Sequence, residues 1–440
     1  MIARRRLFLA IPGLALLGLD FAGLLFQEGD DLHWLIAVAL AQGAIYFVAA
    51  YWVVSGRPSP LGWILIFAAL LRLPLLFSEP YLSSDVYRYV WDGRVQAAGI
   101  NPYRFVPDAP ELEELRDDDI YPNINRSDYA VTIYPPAAQL FFLATTRISE
   151  SVTWMKASLL LWEGLAIGLL VLLLRRAGRP DALVLLYAWH PLPIWEFAGS
   201  GHLDTVAITF ILAALLARVQ GRSGLAGVSL GIATLIKLYP VALVPALWRP
   251  GDRRMPAALA ATLSVGYLPY LGVGRGVLGF LPEYVREEGL QGGSRYYLLH
   301  VAGRLGAHLG AAVYLVPVGL LLVALSAWIC LRRRPRDDFA GAALLLASAL
   351  VLAFSPHYAW YFAWLLPLAA LARSTPILLL GVQSFLLYFE SRSTKLWTGA
   401  SIYVPFLLFA LWRARTLRPS RLVVRGSREG AHGERAEPAA

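Results

Sequence analysis

The sequence predicts an all-α polytopic membrane protein of about 12–14 transmembrane or re-entrant helices with a large first outer loop. Three observations predict it. The chain is 58% hydrophobic and its mean hydropathy is +0.55. Only 16% of residues are charged, where a soluble chain carries about 25%. Apolar runs long enough to cross a bilayer recur from end to end.

The runs fall at 7–26, 34–54, 61–77, 152–174, 182–198, 204–219, 224–236, 239–248, 256–273, 310–331, 338–354, 358–371, 376–390 and 401–413. The first follows Arg4-Arg5-Arg6 with no small-residue cleavage pattern behind it, so it reads as a retained anchor. Runs 224–236 and 239–248 are shorter than the roughly 20 residues of a crossing and read as halves of a broken helix. Run 358–371 reads as re-entrant, and the short apolar segment 136–147 as a helix lying at the outer interface. The organisation expected is an N-terminal hairpin (1–60), a main transmembrane domain (61–412) with outer loops 78–135 and 274–309, and a basic tail (413–440) of disordered composition.

The net charge of +9 does not point to nucleic acid, because much of the arginine borders span ends: Arg4–Arg6, Arg175, Arg176, Arg179, Arg218, Arg222, Arg249, Arg253, Arg254, Arg332–Arg336 and the tail. Positive residues stay cytoplasmic. This places both termini inside the plasma membrane and turns loop 78–135, the 201–204 turn, the 237–240 corner, loop 274–309 and the 355–361 turn outward. The tail can also meet anionic membrane lipid. A lone cysteine, Cys330, excludes a disulfide framework and a cysteine metal site.

Loop 78–133 holds eleven carboxylates and five arginines. The Glu111–Asp119 run reads as a solvated face. Asp85 and Asp92 differ: they sit among Tyr87, Tyr89 and Trp91, and on a helix they fall two turns apart on one face. Aromatics there suit a membrane-interface belt or sugar stacking, and a carboxylate in such a cleft suits a general base for a sugar hydroxyl. The competing role for Asp85 is an ion pair with Arg88 or Arg72, and for Asp92 an i,i+4 pair with Arg88.

Other polar groups fall on the same side. His202 and Asp204 can position a hydroxyl or phosphate or bind a metal, although two ligands do not make a metal site. Asp204 can equally cap the next helix. Lys237 is one of three lysines against thirty-six arginines, in an apolar context. A phosphate partner and snorkelling both account for it. His357, in Ser355-Pro356-His357-Tyr358-Ala359-Trp360-Tyr361, can contact phosphate or sugar or join an aromatic belt.

These phrases together resemble the polyprenol-phosphate-sugar-dependent glycosyltransferases of the GT-C fold, above all bacterial polyprenyl-phosphomannose-dependent mannosyltransferases. The resemblance rests on Asp85-Val86-Tyr87, Gly99-Ile100-Asn101-Pro102-Tyr103, Tyr134-Pro135-Pro136, Gly201-His202-Leu203-Asp204, Lys237-Leu238-Tyr239-Pro240 and the 355–361 phrase. It implies a GT-C-like bundle with Asp85 as catalytic base. The substrate site would comprise Asp92, Arg88, Tyr134, His202, Asp204, Lys237, Tyr239, His357 and Tyr361, with no metal ligand and no cofactor. The implied partners are a polyprenyl-phosphate sugar donor, a glycan or glycolipid acceptor and membrane lipids, with no nucleic acid. A transporter or flippase of lipid-linked saccharides is the rival reading. It requires ionisable residues at mid-membrane depth, for which Arg72 and Glu163 are the candidates.

Overall fold

The computed structural model describes residues 2–332, 339–391 and 393–416, with side chains from residue 8 on. The expected tail lies outside these residues beyond Thr416, as do the Arg4–Arg6 side chains and positions 333–336. In chain order the main helices are α1 (Ile2–Glu28), α2 (Leu32–Val54), α3 (Leu61–Leu70), α4 (Asp85–Ala97), α5 (Pro136–Thr146), α6 (Val152–Arg176), α7 (Asp204–Val219) and α8 (Ser223–Ile236). There follow α9 (Arg254–Tyr267), α10 (Leu281–Glu287), α11 (Tyr297–Arg304), α12 (Ala311–Leu331), α13 (Phe339–Phe354), α14 (Leu365–Ala372), α15 (Thr375–Gln383) and α16 (Lys395–Thr416). No strand occurs among the described residues.

Six helical stretches there are long and apolar enough to cross a membrane, and five shorter apolar helices accompany them, so the chain is a multi-pass membrane protein. Local sequence sets several starts. Asp31 caps α2 by accepting the Trp34 N–H, and Ser151 caps α6 by accepting the Trp154 N–H. Segment 136–147 is helical as expected, but α5 packs against α4.

Several expected single runs are interrupted. Run 61–77 breaks at Leu71–Arg72 ahead of Pro74. Run 182–198 is a chain of short helical pieces ending in a π-helical turn, Ile194–Gly199. Pro191 and Pro193 remove two donors there, and His190 supports the break: its Nδ1 accepts the Leu192 N–H while Nε2 lies 3.0 Å from the Leu378 carbonyl. The whole segment is buried in protein, which is where non-helical backbone survives at membrane depth. The break between runs 224–236 and 239–248 falls at Lys237, whose backbone is extended (φ −141°, ψ 142°).

Two apolar cores result. The larger joins α1, α2, α3, α6, α7, α13, α14 and α15. The smaller gathers Val86, Tyr89, Val90 and Trp91 of α4 with Tyr134, Phe142, Leu159, Leu203 and Ile236. The second core fixes α4 to the bundle. Gly93 permits the approach of α4 to α5, since a Cβ there would stand 2.6 Å from the Phe142 carbonyl.

One ion pair is sealed in the larger core. The Arg72 Nε lies 2.7 Å from Glu163, and its NH1 donates to the Ala68 and Ala188 carbonyls at 2.8 Å. Both side chains are under 10% exposed. Removing one partner of such a pair costs about 3–5 kcal/mol, whereas replacing both with apolar groups is close to neutral. Glu163→Leu is therefore expected to lower the thermal unfolding midpoint sharply in detergent, and Arg72→Leu with Glu163→Leu to recover most of it.

Candidate active site

The site begins where α4 begins. The Asp85 N–H donates to Ser83 Oγ at 3.2 Å, and the Asp85 carboxylate sits half-buried at the helix N-terminus, where negative charge is favoured. Asn125 Nδ2 donates to Asp85 Oδ1 at 3.1 Å and lies 3.2 Å from Ser84 Oγ. Asp85 makes no ion pair among the described residues, because Arg72 is taken by Glu163 and Arg88 by Asp92.

Asp92 is seven residues on, along the same helical line, but its surroundings differ. The chain folds back over it at 130–132. Arg88 Nε donates to Asp92 Oδ1 at 2.8 Å, and both NH groups of Arg88 reach the Ala130 carbonyl. Thr132 Oγ1 and Gln139 Nε2 donate to Asp92 Oδ2 at 2.5 and 2.9 Å. Asp92, expected as a substrate residue, is 1% exposed, does not border the cleft and holds the return loop to α4. Arg88 borders the cleft but spends its guanidinium on that same clasp.

Lys237 reaches the cleft because α8 stops one residue before it. Its Nζ stands 3.2 Å from Asp204 Oδ2, and the Tyr239 hydroxyl donates to Asp204 Oδ1 at 3.1 Å. The Tyr361 and Tyr134 rings flank the ammonium at 5.8 and 6.0 Å from their centroids, within cation–π range. Burial works against the Lys237 charge, but the adjacent Asp204 carboxylate outweighs it and holds the lysine above its ordinary range. Lys237 therefore stays cationic across physiological pH. Asp204 is fully buried, so it serves the cleft through Lys237. Its side chain makes no helix-capping bond.

His202 also lies behind the wall. Its Nε2 is 3.3 Å from Glu196 Oε2, both side chains are fully buried, and the Tyr388 hydroxyl donates to Glu196 at 2.6 Å. The His202 ring stacks on Trp360 at 4.1 Å, and Trp360 stacks on Tyr358 at 4.3 Å. His202, expected as a substrate residue, is thus buried behind this aromatic column. Tyr361 faces the cleft, 3.0 Å from the Tyr284 hydroxyl.

His357 points elsewhere. It lies 3.2 Å from Lys395 Nζ and 3.6 and 3.9 Å from Glu390 and Glu288, in a cluster that ties α16 to the Ser294 and Arg295 carbonyls. It is expected as a substrate residue but does not border the cleft.

The cleft itself has a volume of about 440 Å³, within the usual range of ligand pockets. Of the residues singled out from sequence, Asp85, Arg88, Tyr134, Lys237, Tyr239 and Tyr361 line it. Asn125, Arg126, Tyr284 and Tyr358 also line it and were not singled out from sequence. A run of aromatics marks Tyr358, but nothing distinguishes Asn125 or Arg126 from other polar loop residues. Among the described residues no group of three or more His, Cys, Asp or Glu is placed to hold a metal ion.

The all-helical apolar architecture with this cleft fits a membrane glycosyltransferase of the GT-C type, and the family to which the chain belongs is of that type. The chain belongs to the MptA_B family: the family model described as alpha-(1->6)-mannopyranosyltransferase, N-terminal domain, matches residues 15–249, more than half its length. It is a mannosyltransferase. No curated protein and no solved structure matches it. The matched stretch carries Asp85, Asn125, Tyr134, Asp204 and Lys237, while Tyr284 and the 358–361 aromatics lie beyond it.

The His357 cluster has a measurable signature. Burial, then the nearby Arg295 and Lys395 charges, push the His357 imidazole from 6.5 down to about 3. The unfolded chain therefore takes up a proton below about 6.5 that the folded protein refuses until about 3. By linkage, this histidine's contribution is complete above 6.5 and is lost as pH falls. The unfolding midpoint is expected to drop between pH 6.5 and 4.5, and to drop less in His357→Gln.

Proposed function

We propose that the protein transfers mannose from a polyprenyl monophosphate donor to an extracytoplasmic glycan or lipid acceptor, with inversion. The observation that carries this reading is that Asp85 and Lys237 face the same cleft. In this mechanism Asp85 takes the proton of the acceptor hydroxyl as its oxygen attacks the anomeric carbon. The bond from that carbon to the phosphate oxygen breaks, and polyprenyl phosphate departs with the bonding electrons. Lys237, held cationic by Asp204, stabilises the charge growing on the phosphate, the kind of electrostatic assistance that supplies much of catalysis. The leaving phosphate needs no proton, so a single carboxylate suffices.

The family description suggests an α-(1→6) linkage. A single displacement that forms an α-mannoside requires a β-linked donor. The arginine distribution supports placement in the plasma membrane with both termini cytoplasmic and the cleft on the far side. The rival transporter reading loses its candidates, because Arg72 and Glu163 pair with each other, and Arg72 also with two backbone carbonyls, in a buried core.

The test uses purified protein, labelled polyprenyl-phosphate mannose and an alkyl mannoside acceptor. Asp85→Asn is expected to lower kcat by roughly 10²–10⁴-fold, the contribution of a general base; near-normal transfer would discard the base assignment. Lys237→Ala is expected to lower kcat/KM for the donor about tenfold or more, the worth of a charge-assisted hydrogen bond. An unchanged donor KM and kcat would remove its phosphate role.

A further inference from the structure

We propose that Asn125 is a positioning residue that aims the Asp85 carboxylate, and that α10 holds it in place through Arg126. The proposal rests on the reading of Asp85 as the base.

Asp85 stands at the open end of α4 with its carboxylate half-buried in the cleft wall. Rotation about the last bond of an aspartate is soft, so a carboxylate in that position needs an external donor to fix its plane. Asn125 supplies it: one Nδ2 spans Asp85 Oδ1 at 3.1 Å and Ser84 Oγ at 3.2 Å. Oδ1 is thereby pinned, and the other oxygen is the one to receive a proton from a hydroxyl in the cleft.

Asn125 is itself held from both sides. Ile124 before it is 6% exposed, in the core that carries α4. Arg126 after it adopts a left-handed backbone (φ 56°) without being glycine, a conformation that persists where the surroundings over-determine it and that clusters at functional sites. The surroundings are α10: Arg126 Nε donates to Glu287 Oε1 at 2.7 Å, and its guanidinium lies 6.0 Å from the Tyr284 ring centroid. The start of α10 is tied back in turn. The Phe280 N–H donates to the Thr132 carbonyl at 3.0 Å, and Gly279 (φ 59°) lies so close that a Cβ would overlap that carbonyl. Thr132 then bonds Asp92 on α4. The contacts close a ring from α4 through Asn125, Arg126, α10 and Thr132 back to α4, with the cleft inside it. Displacement of α10 is therefore transmitted to Asp85.

The competing role for Asn125 is a tack that fastens its loop to Ser84. Kinetics separate the two, using the full-length protein with labelled polyprenyl-phosphate mannose and an alkyl mannoside. Asn125→Ala and the isosteric Asn125→Asp are expected to lower kcat about tenfold to a hundredfold, leaving both KM values within about twofold and the unfolding midpoint unchanged. Asn125→Gln, which keeps the amide donor, is expected to recover part of the rate. Glu287→Gln alone is expected to lower kcat severalfold and to add nothing in the Asn125→Ala background, the non-additivity of coupled residues. Normal kcat in Asn125→Ala alongside an inactive Asp85→Asn overturns this proposal while sparing the base. A lowered midpoint or raised KM values at unchanged kcat assign Asn125 to the tack and also overturn it. A near-normal rate in Asp85→Asn, measured first, removes the base reading and this proposal with it.

Discussion

The cleft depends on one interaction, the ion pair between Lys237 and Asp204. Both groups sit in an apolar bundle where an isolated charge is prohibitively costly. Asp204 is fully buried at the first residue of α7, and Lys237 occupies the extended residue that ends α8. Each makes the other tolerable, and the Tyr239 hydroxyl takes the second carboxylate oxygen. The geometry also gives direction. The carboxylate is shut in behind the wall, whereas the ammonium, 14% exposed, has donors left for the cleft. The helix ends at this point, and it is from an extended backbone that Lys237 reaches Asp204.

Behind that pair the wall is stiffened by polar groups that never meet the cleft. Glu196, on the π-helical turn, holds Tyr388 and stands against His202, which in turn backs Trp360 and Tyr358. Arg88 and Asp92 do the same for the opposite wall by pinning the 130–132 return. Few side chains touch the cavity directly, and each rests on a second one whose rotamer is locked by burial. Rigid support of this kind limits how far catalytic groups wander from productive geometry.

The long spans were legible from hydropathy alone because twenty apolar residues have few other uses. The interruptions were less so. Run 182–198 read as a single span, and its division into short pieces was not legible, because the compensation by His190 and Leu378 comes from residues far apart in sequence. At the site, Asp85, Tyr134, Lys237, Tyr239 and Tyr361 were legible as unusual residues at span ends. Asp92 misled for a physical reason: helical spacing equates it with Asp85, and only the tertiary fold-back at 130–132 separates a wet carboxylate from a buried one. His202 and His357 likewise lie off the cleft, which sequence did not foresee, since chain position gives depth but not facing. Asn125 carried no signal at all, as an amide in a polar loop acquires meaning only from what lies across from it.

The allocation of cations has a practical corollary. Lysine is used three times in a chain with thirty-six arginines, and every copy is engaged: Lys156 on the Leu75 and Ser78 carbonyls, Lys237 on Asp204, and Lys395 on the Ser294 and Arg295 carbonyls. Lys156 and Lys395 are 0% and 8% exposed. Acylating reagents aimed at primary amines will thus find almost no side-chain target on the folded protein: Lys156 and Lys395 are buried, and Lys237 stays protonated beside Asp204 and so is a poor nucleophile. Labelling through lysine amines would therefore report loss of the native fold, which frees all three side chains, and would leave the folded cleft untouched.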